Sequence, residues 1–242
     1  MDPETPEKDK GGTQMLLGFF ITLAAFLAAK QVYKRANVVI CNPLITAPLL
    51  IIAFLLAFGI PFESYEPGGA VWMALLKPAT VAFALPLYRY RQIVKKYLME
   101  LLFVVMGAGS LAMATTFMFA EFAHLSHDLS LSMAPRSITT PLAINISSAI
   151  GGIPTITAIF VVITGIVGMV IASAVIRYFR LRHPLLKGML LGITAHGTGA
   201  AKGYEDNQTT GAIASLSMIF TGVLSTIMAP AIIYICSQLV TL

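Results

Sequence analysis

Eight apolar segments follow one another along the chain, separated by short polar connections. They cover residues 15–33, 44–60, 70–88, 97–120, 131–150, 154–177, 185–201 and 209–238. A helix needs about 20 apolar residues to cross the hydrocarbon layer of a bilayer, and most of the segments approach that length. The pattern therefore predicts an all-α polytopic membrane protein.

Three of these segments are interrupted by residues that weaken a helix. Segment three contains Pro78 and Pro86, segment five contains Pro141, and segment seven contains five glycines around His196. Proline removes a backbone donor and glycine lowers helix propensity, and lipid cannot supply the missing hydrogen-bond partners. We expect discontinuous helices here that face a cavity, with helix breaks at the three prolines.

The few charged residues predict the orientation. Of the 242 residues, 57% are hydrophobic and 11% are charged, with a net charge of +5, which excludes a soluble enzyme or a nucleic-acid-binding protein. Basic clusters lie in 30–35, 89–96 and 177–187, whereas the other connections are acidic or neutral. The positive-inside rule places the basic clusters in the cytoplasm. Seven crossings follow, with the N-terminus outside, the C-terminus cytoplasmic and segment five re-entrant. Lys202, Glu205 and Asp206 are then expected near the outer surface.

An internal repeat predicts the domain organisation. The sequence Pro-Leu-Ile-Thr-Ala at 43–47 is echoed by Pro-Thr-Ile-Thr-Ala at 154–158, and Leu-Leu-Lys recurs at 75–77 and 185–187. With the orientation above, the two repeats are inverted, as in many secondary transporters. The predicted parts are a disordered polar tail (1–14), an N-terminal transmembrane helix for oligomerisation (15–36), a first inverted repeat (37–128), a re-entrant segment (129–151) and a second inverted repeat (152–242).

Polar residues inside the broken segments are the candidate site. Arg136 is the best partner for a carboxylate, because its planar fork matches two oxygens; the alternative is an arginine that snorkels to the interface. His196 titrates near neutral pH and is a candidate for proton coupling; the alternative is a hydrogen-bonded packing histidine. The remaining candidates for substrate binding are Thr80, Ser137, Thr139, Thr140, Asn145, Gly197 and Gly199.

Catalytic and metal-binding motifs point away from an enzyme. The sequence has no H-E-x-x-H, no G-x-S-x-G and no paired carboxylates within a span. The pair His124 and His127 with Asp128 is typical of a solvated loop rather than a metal site. We expect no cofactor and no metal.

Four motifs together resemble the LrgB/CidB family. They are KPATVAFALPLY, APRSITTPLAINIS, GGIPTITAIF and AHGTGAAKG, within a match that covers about residues 38–240. The resemblance implies either carriage of small monocarboxylates such as glycolate, glycerate or pyruvate, or a holin/antiholin-like regulation of murein hydrolases and cell lysis. It also implies a bacterial plasma membrane and a small LrgA/CidA-type membrane partner.

The leading hypothesis from the sequence is a transporter of small organic anions that works by alternating access. A simple pore needs neither inverted repeats nor three broken segments around a histidine. The alternative is the antiholin-like lysis regulator. A homodimer is expected, because segment one lies outside the repeats.

Overall fold

A computed structural model describes residues 5–36, 41–82 and 84–240, except for the side chains of 5–11, 76, 77, 79, 80, 82, 84, 86 and 87. Within these ranges the regular structure is helical. The α-helices are α1 (Thr5–Ala36), α2 (Pro43–Ala57), α3 (Phe62–Ala82), α4 (Ala84–Arg89), α5 (Arg91–Phe122), α6 (His127–Met133), α7 (Thr140–Ile150), α8 (Pro154–Tyr178), α9 (Pro184–Asp206) and α10 (Gln208–Val240). A 3-10 turn, Ala134–Ser137, joins α6 to α7.

Four of the described helices are long and apolar enough to cross a membrane, by length and composition. They are Gly12–Ala36 within α1, and α5, α8 and α10. Large apolar side chains on them are open to the surroundings, among them Phe103 at 83% and Phe119 at 74% exposure. Soluble proteins rarely expose an apolar surface of this extent, so the exposed faces suit contact with lipid.

The chain forms two compact units, Met1–Ala79 and Thr80–Leu242. The division falls inside the predicted first repeat. In unit 1, α1 contacts α3 through a hydrogen bond between the hydroxyls of Thr22 and Tyr65 at 2.9 Å and a stack of Phe19 on Trp72 at 4.5 Å. Helix α1 begins at Thr5, within the predicted disordered tail, and it packs against its own chain.

Unit 2 is built around three long helices. Helices α5 and α10 run parallel, since Leu101 packs with Ile213 near their starts and Ser110 Oγ reaches Met228 Sδ at 3.8 Å further along. Helix α8 runs in the opposite direction: Val161, early in α8, packs in a cluster with Ile233, late in α10, whereas Ala172, later in α8, packs in a cluster with Ala214, early in α10. Both α5 and α10 therefore start at the end of the unit where α8 finishes. We call this the basic end, because Arg89, Arg91 and Arg177 lie there.

A first hairpin enters unit 2 from the opposite end. It is formed by α6, the 3-10 turn and α7, and it lies between the end of α5 and the start of α8. Its two arms are tied to α8 where α8 begins: Thr157 Oγ1 donates to the carbonyl oxygen of Ser132 at 2.9 Å and to Ser147 Oγ at 2.7 Å. Segment five is therefore broken, as predicted, and it enters and leaves unit 2 at the same end.

A second hairpin, α9, enters from the basic end. Lys187 near its start and Asp206 at its end form an ion pair at 3.0 Å, although a straight helix would separate residues 19 apart by about 28 Å. The chain reverses at His196, whose backbone is non-helical (φ 49°, ψ −122°). A Cβ on Gly199 would collide with the carbonyl oxygen of Leu191, so the returning arm needs glycine there to lie against the first arm.

The reversal of α9 contradicts the prediction that segment seven crosses the membrane. Segment seven returns to the basic end, which removes one of the seven predicted crossings. Lys202, Glu205 and Asp206 lie at the same end as Lys187, and not across the unit from it as a crossing helix would place them, since they line one cavity of about 390 Å³ together with Arg177 and Lys187.

The direction of α10 also differs from the prediction. It starts at the basic end and runs parallel to α5, whereas inverted repeats at an offset of about 110 residues require these two helices to be antiparallel. The predicted inversion is therefore wrong for this pair of helices. The described C-terminal residue, Val240, lies at the end of unit 2 away from the basic end, since α10 starts at the basic end.

Pro78 and Pro86 were also predicted as helix breaks. Helix α3 continues through Pro78, and α4 contains Pro86; between α4 and α5 the helical structure is interrupted at Tyr90. Pro86 is the third residue of α4, where a missing N–H has no intrahelical acceptor to lose. Pro141 does mark a helix start, as predicted, because it is the second residue of α7.

Cysteine labelling tests the reversal of α9. In a background with Cys41→Ser and Cys236→Ala, we expect Arg180→Cys and Asn207→Cys to react with an impermeant maleimide from the same side of the membrane, because both flank α9 at its base. His124→Cys should react from the other side. Reaction of positions 180 and 207 from opposite sides would show that α9 crosses.

The ion pair at the base of α9 predicts a pH dependence of stability. The hydrogen bond from Lys187 lowers the pKa of the Asp206 carboxyl from its ordinary value of 3.8. A lowered pKa means that the stabilisation is present above pH 3.8 and is lost as pH falls through the lower, folded-state value. Thermal unfolding in detergent should show Asp206→Asn less stable than the parent at pH 7, by up to about 1 kcal/mol for an exposed pair. The difference should shrink below pH 3.8. A constant difference down to pH 2.5 would contradict the role of the ion pair.

Candidate functional site

The tips of the two hairpins meet beside the middle of α8. Arg136, in the first tip, donates to Thr164 Oγ1, and Thr198, just beyond the second tip, donates to the carbonyl oxygen of Gly165 at 2.9 Å. Helix α9 contacts the 3-10 turn, and the imidazole of His196 lies close to the backbone of Ser137. The tips, approaching from opposite ends, therefore touch each other half-way along the unit.

Arg136 is held by two threonine hydroxyls. Its Nε donates to Thr116 Oγ1 of α5 at 3.1 Å, and its Nη1 donates to Thr164 Oγ1 of α8 at 3.2 Å. No carboxylate in the described part of the chain pairs with it; the ion pairs recorded there involve other residues. A guanidinium has five N–H donors, so three of them remain for another partner.

A cavity of about 780 Å³ lies in front of Arg136. Its walls are largely apolar side chains of α5 and α8, such as Phe119, Phe160 and Ile163. The polar groups at its surface come from Arg136, Ser137 and four threonines: Thr115, Thr116, Thr164 and Thr194. A small anion with a short organic body matches this lining, because the cavity offers one cation and a mostly apolar wall.

His196 occupies a backbone conformation that favours glycine. Its φ is +49° with ψ −122°, a region that costs a residue with a Cβ about 1–3 kcal/mol. The side chain is 3% exposed, and its Nε2 has no hydrogen-bond partner. The next residue is Gly197, which has open space around it. A glycine would adopt the conformation of His196 without strain, and the chain has a glycine at the next position. The strained backbone at His196 therefore indicates that its ring has a function.

Two further buried hydroxyls near the tips lack a protein partner among the described residues. Thr139 Oγ1 caps no backbone N–H of α7 and lies 3.8 Å from the Cβ that Gly222 of α10 would carry. Ser217 of α10, whose Oγ also has no partner, lies against Gly192, which precedes His196 by one turn of α9: the Cβ of Ser217 is 2.9 Å from the Cβ that Gly192 would carry. Buried polar groups are normally paired, so these hydroxyls mark places for a ligand or water.

The structure brings together only some of the predicted site residues. Arg136, Ser137, Thr139 and His196 lie at the two tips. Asn145 is exposed on α7, and Thr140 is half-buried. Gly199 lies where the two arms of α9 approach each other closely, so it contributes to packing. The side chain of Thr80 lies outside the described residues.

Comparison with known proteins identifies the family. The LrgB-like family model matches residues 22–235. This chain belongs to the LrgB family. It is 41% identical to the uncharacterized protein YwbG of Bacillus subtilis (strain 168) over 89% of the chain and 96% of that protein. It is 31% identical to the antiholin-like protein LrgB of the same strain, over 89% of the chain and 94% of that protein. The antiholin-like protein LrgB of Bacillus cereus (strain B4264) is 32% identical, over 88% and 93%. No solved structure matches the chain.

Sequence reasoning missed the threonines that hold Arg136 in this LrgB-family protein. Thr116 and Thr164 each stand in a long apolar helix, where a threonine usually donates back to its own helix. Thr116 does so as well, to the carbonyl oxygen of Ala112 at 2.6 Å. Because hydropathy does not show which neighbour faces a threonine, only the tertiary structure reveals that both hydroxyls accept from one arginine.

Two substitutions of His196 separate backbone strain from side-chain function. We expect His196→Gly to be more stable than His196→Ala by about 1 kcal/mol, because glycine adopts a positive φ without strain. In thermal unfolding, this is a difference of about 2–4 °C for a protein of this size. Equal stability of the two variants would contradict the positive φ at this position.

Proposed function

We propose that this LrgB-family protein transports small monocarboxylates, such as glycolate, glycerate or pyruvate, across the bacterial plasma membrane. The observation that carries the proposal is Arg136, a cation at the middle of unit 2 with no carboxylate partner among the described residues. A charge at membrane depth is costly, by about 2.5–3.5 kcal/mol on insertion scales. Its retention is explained if the missing partner is the substrate.

The number of free N–H donors on Arg136 supports a substrate with a single carboxylate. Three N–H groups of Arg136 remain after the two bonds to threonine, which suits two carboxylate oxygens in a fork. Among the described residues, no second cation lines the 780 Å³ cavity. A dianion would leave one charge without a counter-ion, so a monoanion is the better match.

The two opposed hairpins support alternating access. A carrier must close its site to one side while it opens to the other, and broken helices near the bilayer midplane serve this purpose in many transporters. In unit 2 the first hairpin separates the tips from one end, and α9 separates them from the basic end. Movement of either hairpin would open the site to a different side. By the positive-inside rule, the basic end faces the cytoplasm.

His196 is the proposed coupling residue. Its ring lies against the first tip, and the same tip carries Arg136. An anion that enters next to Arg136 would favour a proton on His196, which links uptake of the anion to uptake of a proton.

The names of the relatives favour a second function. Proteins that are 31–32% identical to this chain are named antiholin-like protein LrgB, and this reading agrees with the names better than transport does. In that case the protein regulates a holin-like pore and cell lysis, together with a small LrgA/CidA-type membrane partner. A homodimer fits either function.

Transport by purified protein tests the main proposal. Proteoliposomes with an inward proton gradient should accumulate labelled glycolate or pyruvate, and Arg136→Gln should reduce the rate at least tenfold because the carboxylate loses its cation. Arg136→Lys should recover part of the rate, since lysine keeps the charge without the fork. His196→Gln should abolish the response to the proton gradient while exchange of the anion continues.

The same uptake assay provides a control variant and the result that would overturn the proposed transport. Thr226→Val removes a hydroxyl that bonds the carbonyl oxygen of Gly222 in its own helix and is not among the residues that line the cavity of Arg136, and it should transport normally. Absence of carboxylate flux combined with leakage of sucrose would overturn the transporter and favour the antiholin-like function.

A further inference from the structure

Arg136 cannot present its fork to a substrate unless its own orientation is restrained. An arginine side chain has many rotamers, and freezing them is costly. The 3-10 turn that carries Arg136 does little to restrain it, since it is four residues long and Pro135 within it is non-helical. The restraint has to come from the surrounding helices.

The hydroxyls of Thr116 and Thr164 supply that restraint. They lie on different helices, α5 and α8, and they accept from different nitrogens, Nε at 3.1 Å and Nη1 at 3.2 Å. Two bonds from a rigid planar group to two fixed helices define the plane of the guanidinium. The N–H groups that remain are both of those on Nη2 and one on Nη1.

Thr116 is suited to accept a hydrogen bond and not to donate one to a substrate. Its own proton is used in the bond to the carbonyl oxygen of Ala112 at 2.6 Å, and the residue is 6% exposed. Its lone pairs are therefore directed to Arg136. The hydroxyl acts on a bound anion only through the arginine.

We infer that Thr116 and Thr164 are positioning residues that aim Arg136 at the carboxylate of the transported anion. The inference rests on the proposed function of Arg136. The inference also attributes selectivity for a single carboxylate to the two threonines. They occupy two N–H donors of Arg136 that would otherwise be free to bind additional oxygens of an anion. Without it, the guanidinium turns freely and accepts anions of other shapes.

Kinetics of carboxylate uptake test this inference. Thr116→Val and Thr164→Val keep the size of the side chain and remove the acceptor. We expect each to raise KM for the labelled monocarboxylate about tenfold with little change in the maximal rate, because the loss affects how the anion is held. Thr116→Ser and Thr164→Ser should restore KM. The control is Thr226→Val, which removes a similar back-bonded hydroxyl from α10 and should leave KM unchanged.

A double-mutant cycle separates positioning from helix packing. If the threonines act through Arg136, Thr116→Val should have no further effect on carboxylate affinity in an Arg136→Gln background. Affinity in this arm is measured as the carboxylate-dependent rise in thermal unfolding temperature, which requires no flux. Equal effects of Thr116→Val in the two backgrounds would overturn the inference in favour of a packing role.

Failure of the inference differs from failure of the proposed function. If Arg136→Gln weakens carboxylate binding but both valine variants bind and transport as the parent does, only the positioning role is overturned. If the parent shows neither uptake nor thermal stabilisation by any monocarboxylate, both the anion site and its positioning by threonine are overturned. Increased uptake of dicarboxylates by the valine variants would support the link to selectivity.

Discussion

Two chain reversals lie half-way along the long helices of unit 2, where lipid offers no partner for a backbone N–H or C=O group. The rest of the unit follows from this constraint. Each reversal has to be buried in protein, and here the two tips are buried against each other and against the middle of α8. A Cβ on Gly168 of α8 would collide with the carbonyl oxygen of Thr194, so the close approach of α9 depends on glycine at that point.

The same constraint explains why polar chemistry collects at one depth. Turns expose backbone groups and free the side chains near them from helical packing, so an arginine, an imidazole and unpaired hydroxyls occur together at the tips. Away from the tips the walls are apolar. One cation beside largely apolar walls is the feature on which the proposed binding of a small organic monoanion rests.

The sequence was informative where an interruption was local. Pro141 and the polar residues around it predicted the break in segment five, and His196 stood out as an ionisable group among glycines. It was less informative for Pro78 and Pro86, because the helices that contain them continue through proline. The return of α9 was missed because a crossing helix and a hairpin of the same length have the same hydropathy.

By itself the sequence determined that the chain is helical and suited to a membrane, that its basic residues cluster in the connections between apolar segments, and that Arg136 and His196 are ionisable groups inside broken segments. These properties depend on composition and on local spacing. Only the tertiary structure decided that α9 turns back, that α10 therefore runs parallel to α5, and that two threonines from different helices hold one arginine. The physical reason is that each of these depends on contacts between residues far apart in the chain, such as Lys187 with Asp206 and Arg136 with Thr164. Hydrophobic pattern and helix propensity carry no record of such contacts.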